Sequence, residues 1–448
     1  MPRLTRSCRQ ILHIAIVVTC IFLTGSVLYN HTSLFRSRSD QHWTSLSKLS
    51  PVDTYKDVIQ TYWRNNSKVV LLQKEGDAYL PQKKDEEKNN HDPLRRGVTY
   101  WERESRDASA KIGNQTSDVK VILMRDFPYY YEIKPGSQVF QGCPGVRSCT
   151  VATDSNVPAD LVILFSINSN SRNYMNPPPR PANQMWAYFA VEAPPHSYSS
   201  VLGSPAWQLY FNWTMTYRLD SDIRFGYGIV VTKSSDSGSS DHKTYDESAL
   251  MKKIRGKSKM AAIFVSNCND NAQRLSFLKL LKKAVPGVDV YGTCGSLKCD
   301  KGSNSCHEML ERDYFFYLAF ENSHCTDYVT EKAFLTLKYD VVPVVRGGAN
   351  YSSLVPPMSV IDTSAFQSIL DLGRYLQYLM DNPTEYLRYL RWKKDYVIVE
   401  PQPLPWCELC SKVHEAYKQR PQAYVNVNSW WVDGTCRQAN DLHLYGQF

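Results

Sequence analysis

The sequence YFFYLAFENSHCTDYVTEK, at Tyr314–Lys332, combines a strand-length apolar run, a polar turn and the beginning of a helical pattern. Tyr314–Phe320 contains no charged residue, which is typical of a strand that is buried on both faces of a sheet. In Asp327–Tyr339, apolar residues recur at helical spacing from Val329 onwards. The stretch therefore predicts a buried β-strand followed by an α-helix, the repeating unit of an α/β protein.

The same alternation continues over most of the chain from Val119 onwards. Further strands are predicted at Val119–Met124, Asp160–Phe165, Met185–Val191, Ala261–Val265, Asp289–Tyr291 and Val341–Val345. Further helices are predicted at Asn271–Lys283, Phe366–Leu379 and Thr384–Lys394. Alternating strands and helices favour parallel sheets, and a Ser- and Asp-rich segment, KSSDSGSSDHK, separates two such halves. We therefore expect two α/β domains that face a cleft, where ligands usually bind.

The N-terminal region predicts a membrane anchor. Ile11–Leu28 contains no Lys, Arg, Asp or Glu, and it follows three arginines. A run of this length just spans a bilayer and keeps its basic flank cytoplasmic, whereas the alternative is a cleavable signal peptide. The expected organisation is a cytoplasmic tail (1–10), a transmembrane signal-anchor (11–28), a polar stem (29–118), an N-terminal α/β domain (119–231), a linker (232–260), a C-terminal α/β domain (261–400) and a disulfide-bearing tail (401–448).

The charge of the chain bears on its partners. The 448 residues include 52 basic and 44 acidic side chains, which give a formal net charge of +8. A nucleic-acid-binding protein usually concentrates its basic residues in a dense patch, and this sequence has no such block. We therefore expect no nucleic-acid partner, whereas a mildly positive protein suits an anionic small molecule.

The cysteines and sequons fit a lumenal protein. Ten of the twelve cysteines follow the predicted anchor, and in the lumen they predict disulfides. Zinc is the alternative for Cys294, Cys299, Cys306 and His307, but their spacing matches no standard zinc pattern. The Cys407-x-x-Cys410 motif follows the last predicted helix, which favours a structural disulfide over redox catalysis. Sequons for N-glycosylation begin at Asn30, Asn65, Asn114, Asn212 and Asn350.

The turn within Tyr314–Lys332 is a candidate anion site. Glu331 and Lys332 lie in the first predicted helical turn, where backbone N–H groups attract anions. Lys332 adds a point charge suited to a diphosphate, and Glu331 can accept from sugar hydroxyls. The alternative is a solvated helix start in which Glu331 complements the helix dipole.

Phe320–Ser323 and Asp327–Lys332 resemble the donor-binding motif of the α1,3/4-fucosyltransferases, glycosyltransferase family 10, whose pattern is close to F-E-N-S followed by D-Y-[IV]-T-E-K. The resemblance implies the GT-B fold, in which two Rossmann-like domains face a cleft, and inverting transfer of fucose from GDP-fucose. It assigns the acceptor to residues 119–231 and GDP-fucose to residues 261–400. It also implies that Tyr328, Glu331 and Lys332 contact GDP-fucose, and that Glu321 and Asn322 shape the pocket.

Two further blocks resemble the same family. Phe211–Asp222 (FNWTMTYRLDSD) matches a structural motif whose members here are Asn212, Thr214, Tyr217, Arg218, Asp220 and Asp222. Asp220-x-Asp222 could chelate Mn²⁺, but that device belongs to another glycosyltransferase fold, so a structural or cleft-forming role is favoured. In Phe264–Arg274 (FVSNCNDNAQR), the resemblance places Ser266, Asn267 and Arg274 at the nucleotide. Physically, Arg274 could clamp phosphate oxygens; its alternative is a surface helix position.

Glu192, in WAYFAVEAP, is the candidate general base. A lone Glu at a strand end is usually a solvated surface residue, but the family carries its proposed base here, followed by Ser-Pro. This sequence has Ala193-Pro194 instead, which removes a hydroxyl and leaves the carboxylate. By resemblance, Glu192 takes a proton from an acceptor hydroxyl that then attacks fucose C1.

The resemblance also implies the acceptor and the setting. Cys143, Cys149 and the Trp406-Cys407-x-x-Cys410 tail look more like the invertebrate members, which favours α1,3 transfer to N-acetylglucosamine of the glycoprotein N-glycan core. The alternatives are a Lewis-type antennal enzyme, a transferase of another nucleotide sugar, and an inactive, lectin-like glycan binder. We expect a type II Golgi membrane protein with a lumenal catalytic domain and no required cofactor, although a divalent cation such as Mn²⁺ could stimulate it. The sequence leaves the oligomeric state open.

Overall fold

The computed structural model describes residues 98–100, 119–128, 133–143, 148–166, 174–233, 245–299, 304–416, 422–439 and 441. The strands in this part of the chain are β1 (Val98–Tyr100), β2 (Lys120–Arg125), β3 (Cys149–Ala152), β4 (Leu161–Phe165), β5 (Met185–Ala190), β6 (Trp213–Thr216), β7 (Ile223–Arg224), β8 (Ile229–Thr232), β9 (Lys259–Phe264), β10 (Val288–Tyr291), β11 (Tyr314–Phe320), β12 (His324–Cys325), β13 (Val342–Arg346), β14 (Ile361–Asp362), β15 (Tyr396–Val399), β16 (Gln422–Tyr424) and β17 (Cys436–Arg437). The α-helices are α1 (Glu247–Gly256), α2 (Arg274–Ala284), α3 (Ser305–Asp313), α4 (Glu331–Leu337), α5 (Ile369–Asp381), α6 (Pro383–Leu387), α7 (Leu404–Glu415) and α8 (Val427–Val432).

Two parallel sheets organise the protein, which confirms the predicted α/β class. The first sheet has the strand order β3-β2-β4-β5-β6-β7, and the second has the order β10-β9-β11-β13-β14. Neighbouring strands within each sheet run parallel. Both sheets lie in one compact unit, Val52–Phe448.

Strand β11 is the centre of the second sheet. All seven of its residues are buried, as its uncharged sequence predicts. It pairs with β9 through Phe316 opposite Ala261, and with β13 through Leu318 opposite Val344. Phe316 and Leu318 are fully buried, and each such side chain contributes about 2 kcal/mol to stability. Burial on both faces explains why the strand has a continuous apolar run instead of an alternating one.

The predicted linker, residues 232–260, contains regular secondary structure over most of its described part. Thr232 ends β8, Lys259 begins β9, and α1 occupies Glu247–Gly256 between them. Asp246 caps α1, because its side chain accepts from the backbone N–H groups of Ser248 and Ala249. The apolar face of this helix is short, which is why the charged sequence obscured it.

The C-terminal residues return to the first sheet. Helix α7 buries Trp406, Leu409 and Val413 against the core of β2, β4 and β5. Cys407 and Cys410 lie on this helix and form disulfides with Cys143 and Cys149, respectively. The predicted position of the C-x-x-C motif after the last helices is therefore wrong, because α7 carries it and α8 follows.

Two further strand pairs revise the predicted boundaries. β8 pairs with β15, which ties the end of the first α/β half to residues near the end of the second. β1 lies inside the predicted stem and pairs with β16, so the stem prediction is wrong at residues 98–100. The sequence of β1, Val-Thr-Tyr, consists of residues with high strand propensity.

The remaining disulfides confirm the disulfide prediction and make the zinc alternative wrong. Cys268 bonds Cys294, and Cys299 bonds Cys306. A fifth disulfide joins Cys325 to Cys436 and ties β12 to β17.

The predicted anchor and the sequons at Asn30, Asn65 and Asn114 lie outside the described residues. Among the residues that are described, no helix has both the length and the apolar character needed to cross a membrane.

Candidate active site

Glu192 lies at the carboxyl edge of the first sheet, directly after β5. Ala190 ends the strand, and Pro194 begins a 3-10 turn, Pro194–His196, that bends the chain away from the sheet. The Tyr227 hydroxyl donates to the carbonyl oxygen of Val191 at 2.7 Å and fixes the backbone beside the glutamate. Glu192 itself is only half-buried. A carboxylate in this position can contact both solvent and a bound molecule.

The predicted donor residues follow two neighbouring strands of the second sheet. Ser266 and Asn267 come after β9, and Glu321 and Asn322 come after β11. The N–H of Ala272 donates to the carbonyl oxygen of Asn322 at 2.9 Å, so the two loops are joined. The chain goes from β9 to β10 on one side and then to β11 on the other, which makes this a topological switch point, the usual ligand crevice of an open parallel sheet.

Arg274 begins α2 and is almost entirely buried. Its Nε donates to Asp270 Oδ2 at 2.7 Å, and its Nη2 donates to the carbonyl oxygen of Asn267 at 3.3 Å. The alternative of a surface arginine is therefore wrong, since the side chain is 4% exposed. The helix starts three residues later than predicted because Asp270 and Gln273 form the turn before it, with Gln273 at a φ of 52°. This buried ion pair fixes the guanidinium at the end of β9.

Glu321 is the centre of a buried polar cluster. Its Oε1 accepts from the backbone N–H of Thr330 at 2.9 Å, and its Oε2 accepts from Lys332 Nζ at 3.0 Å. The Thr330 hydroxyl also donates to Glu321. Burial raises the pKa of the Glu321 carboxyl, an effect that Lys332 opposes. Burial disfavours the charged form of Lys332, but the neighbouring carboxylates of Glu321 and Glu331 outweigh this effect and raise the pKa of Lys332. Lys332 therefore stays a cation.

The first turn of α4 differs from the prediction. The helix begins at Glu331 and not at Asp327, because Asp327 has a φ of 58° and Thr330 is the N-cap. Tyr328 is therefore not at a helix N-terminus. The exposed Glu331 carboxylate lies 3.5 Å from Lys332 Nζ, so the lysine contacts two carboxylates. The carboxylate of Glu321 accepts the hydrogen bond of the Thr330 N–H group, which would otherwise be available to a bound anion.

Tyr328 connects the two sheet edges. Its hydroxyl donates to Glu192 Oε2 at 3.0 Å, across 136 residues of sequence. Its ring is 1% exposed and lies 4.9 Å, centroid to centroid, from the ring of Tyr217. The structure therefore brings three predicted site residues from different motifs, Glu192, Tyr217 and Tyr328, into one cluster.

The block Phe211–Asp222 is part of the first sheet and its border. Asn212 is 1% exposed, and its Oδ1 accepts from the N–H of Trp186 and from Arg180, while its Nδ2 donates to the carbonyl oxygen of Gln422. Glycosylation at Asn212 is therefore a wrong prediction, because a glycan would have to replace a buried amide hydrogen bond. Asn350, in contrast, is exposed.

The two aspartates of the D-x-D sequence are held by protein groups. Asp220 forms a bidentate ion pair with Arg218, at 2.6 and 2.8 Å. Asp222 accepts from the N–H of Thr214 and from the hydroxyl of Tyr424, each at 2.9 Å. These contacts tie β6 to β16, and they engage both carboxylates in the architecture of the first sheet.

Sequence reasoning missed two residues at the second sheet edge. Arg346, the last residue of β13, is 1% exposed, donates to the carbonyl oxygen of Ala272 and forms a bidentate ion pair with Asp441. A charged residue before Gly347-Gly348 at the end of an apolar run was the available signal. Gly348 needs its missing side chain, because a Cβ would lie 2.5 Å from the backbone N of Cys325. Thr330, the N-cap that binds Glu321, is the second missed residue.

Comparisons with known proteins identify similar sequences over both α/β halves. Residues 117–228 match the model of the N-terminal fucosyltransferase domain, and residues 254–430 match "Glycosyltransferase family 10 (fucosyltransferase) C-term". The chain is 36% identical to Alpha-(1,3)-fucosyltransferase C of Drosophila melanogaster, over 60% of this chain and 64% of that protein. It is 32% identical to Glycoprotein 3-alpha-L-fucosyltransferase A of the same species, over 70% and 60%. It is 34% identical to the human 3-galactosyl-N-acetylglucosaminide 4-alpha-L-fucosyltransferase FUT3, over 71% and 84%.

Proposed function

Because the chain belongs to glycosyltransferase family 10, the fucosyltransferases, we propose that it transfers L-fucose from GDP-fucose in α1,3 linkage to N-acetylglucosamine. One observation carries the proposal beyond family membership. The donor-motif residue Tyr328 reaches across the molecule and hydrogen-bonds to Glu192, so the motifs for donor and base meet at one place. The proposal includes a GT-B arrangement of the two α/β halves, in which the second sheet binds the donor and the first sheet binds the acceptor.

The proposed reaction is a single displacement. Glu192 takes the proton of the acceptor hydroxyl, and the electron pair of that oxygen forms a new bond to fucose C1. The bond from C1 to the GDP oxygen breaks, and GDP leaves with the bonding electrons. Attack from the face opposite GDP inverts the configuration at C1. The transition state has the oxocarbenium character of glycoside chemistry.

The donor side supplies charge to the leaving group. Arg274 and Lys332 are fixed at the ends of β9 and β11 by Asp270 and Glu321. Cations held in place before the reaction stabilise the growing charge of a diphosphate without reorganisation. Ser266, Asn267, Asn322 and Glu331 complete the proposed GDP-fucose site. The mechanism requires no metal, although a divalent cation such as Mn²⁺ could stimulate transfer.

The proposed acceptor is N-acetylglucosamine of glycoprotein N-glycans, with the core favoured. The insect relative named a glycoprotein 3-alpha-L-fucosyltransferase supports this choice. The human relative, named for a 3-galactosyl-N-acetylglucosaminide acceptor, supports the Lewis-type antennal alternative. We further propose that the uncharged run Ile11–Leu28 anchors the chain as a type II protein in the Golgi membrane, with the catalytic part lumenal.

Transfer of labelled fucose to a glycan array tests the proposed function. We expect label on glycans with an unmodified core N-acetylglucosamine, whereas label confined to galactosylated antennae would favour the Lewis-type alternative. A parallel array with labelled UDP- and CMP-sugars tests the donor. Glycan binding without transfer would instead favour an inactive lectin.

Glu192→Gln tests the base. The variant keeps the shape of the side chain and loses the proton acceptor, so we expect turnover to fall by at least about 100-fold while GDP still binds. Glu308→Gln, on the exposed first turn of α3, is the matched control and should leave turnover unchanged. A Glu192→Gln enzyme with near-wild-type turnover would exclude Glu192 as the base.

A further inference from the structure

Tyr328 makes a contact that differs from the role implied by resemblance. The family motif assigns it to GDP-fucose, yet its hydroxyl donates to Glu192 Oε2 at 3.0 Å. Within the described residues, this is the hydrogen bond that reaches the Glu192 carboxylate, and no described donor reaches Oε1. The tyrosine thus engages one oxygen of the proposed base and leaves the other to the acceptor.

The position of Tyr328 is fixed from several directions. Its ring packs against Tyr217, and its neighbour Asp327 accepts from the backbone N–H of Leu219 at 3.0 Å. The Cys325–Cys436 disulfide holds the chain three residues before it. Asp327 and Tyr328 follow the second sheet, whereas Tyr217 and Leu219 border the first. The loop between β12 and α4 therefore joins the two halves and carries the hydroxyl to Glu192.

The electrostatic environment keeps the tyrosine a hydrogen-bond donor. Burial raises the pKa of Tyr328 well above its ordinary value, and the nearby Tyr227, Glu192, Glu321 and Tyr217 raise it further. The hydroxyl therefore stays protonated and donates to the Glu192 carboxylate. It also fixes the rotation of the carboxylate, which sets the direction of the oxygen that takes the proton.

We propose that Tyr328 is a positioning residue for the base Glu192, and that its hydroxyl orients the carboxylate towards the acceptor hydroxyl. This inference rests on the proposed function, in which Glu192 is the base of fucosyl transfer. It separates Tyr328 from the donor-binding residues Arg274 and Lys332. The hydroxyl acts on the proton-transfer step, and GDP affinity does not depend on it.

The test is Tyr328→Phe in the full chain, with kcat and the KM for GDP-fucose measured for fucosyl transfer and GDP affinity measured by calorimetry. The variant keeps the ring that packs on Tyr217 and removes one hydroxyl. Loss of the hydrogen bond leaves the carboxylate free to rotate away from the acceptor hydroxyl, so the effect should fall on kcat and leave the KM for GDP-fucose nearly unchanged. We expect kcat to fall about tenfold, and the Kd for GDP to change by less than about twofold.

Tyr386→Phe is the matched control. The Tyr386 hydroxyl is also buried and donates to a backbone oxygen, that of Phe315, in the core of the second sheet. This control should lower stability without lowering kcat at temperatures where the variant is folded. A near-wild-type kcat in Tyr328→Phe, or a large loss of GDP affinity, would overturn the inference while leaving fucosyl transfer intact. A wild-type protein that transfers no fucose would overturn the proposed function, and this inference with it.

Discussion

Replacing Lys332 with Met tests how the second sheet edge is held together. The substitution keeps most of the side-chain volume and removes the cation that lies 3.0 Å from Glu321 Oε2. Glu321 is 1% exposed and Lys332 is 17% exposed, so water can solvate the remaining carboxylate only poorly. Breaking a buried pair by removing one partner typically costs 3–5 kcal/mol. Because Thr330 still donates to Glu321 through its N–H and hydroxyl, we expect the lower end, about 3 kcal/mol.

The sign of the pH dependence follows from the carboxylate that remains. Burial already raises the pKa of Glu321 above its ordinary value of 4.5, and removal of Lys332 raises it further. A group whose pKa is raised by folding stabilises the folded state most at low pH. The loss in Lys332→Met should therefore be small near pH 5 and should grow as the pH rises towards 8. Chemical unfolding at several pH values measures it.

Lys338→Met is the matched control, because Lys338 directly follows α4 and pairs with the more exposed Glu400. An exposed pair contributes at most about 1 kcal/mol, so this variant should remain close to wild type at every pH. The double variant Glu321→Gln/Lys332→Met removes both charges and should recover most of the lost stability. A Lys332→Met protein that loses less than about 1 kcal/mol, or whose loss is independent of pH, would refute the buried-pair argument.

Two further predictions concern stability. Burial, followed by the charge of Arg346, lowers the pKa of His324 from 6.5 to about 4. The free energy of unfolding should therefore fall by up to about 3 kcal/mol as the pH decreases from 6.5 towards 4. Thermal unfolding of wild type and His324→Gln over this range measures the effect, and the same pH dependence in both proteins would contradict it. Cys143–Cys407 and Cys149–Cys410 close loops of almost the same length, with separations of 264 and 261 residues. Replacing both cysteines of either disulfide with serine should therefore lower the free energy of unfolding by roughly 3 kcal/mol, whereas replacing the cysteines of both disulfides should lower it by more than twice as much. A loss for both disulfides that equals the sum of the two single losses would show that the bonds act independently.

Local sequence pattern was enough to predict the elements that depend on it. The bounds predicted for Tyr314–Phe320 match the observed strand, because a run of seven consecutive buried residues is typical of a strand with a neighbouring strand on each side. The start of α4 was placed four residues too early, since the apolar spacing continues through Asp327–Thr330. There the tertiary contact between Asp327 and Leu219 determines the backbone instead.

The sequence predicts which residues form the candidate site, but it does not predict which of them contact one another. The pairing of Arg274 with Asp270 lies within one turn, yet its burial depends on the whole edge of the second sheet. The contact between Tyr328 and Glu192 joins positions 136 residues apart, which no local pattern can indicate. The buried amide of Asn212 illustrates the converse: a sequon is a local pattern, and only tertiary structure shows that it is inaccessible.

The return of the C-terminal residues to the first sheet also constrains how the protein is made. Helix α7, two disulfides and strand β16 complete the packing around β2–β6, although the ribosome synthesises them more than 150 residues later. The first α/β half therefore cannot complete its packing, and Cys143 and Cys149 cannot form their disulfides, until the second half has been translated. During biosynthesis the chain would depend on thiol-protecting and isomerising factors for this interval. A stop codon near residue 400 would therefore damage the domain made first, although every residue of that domain would be present.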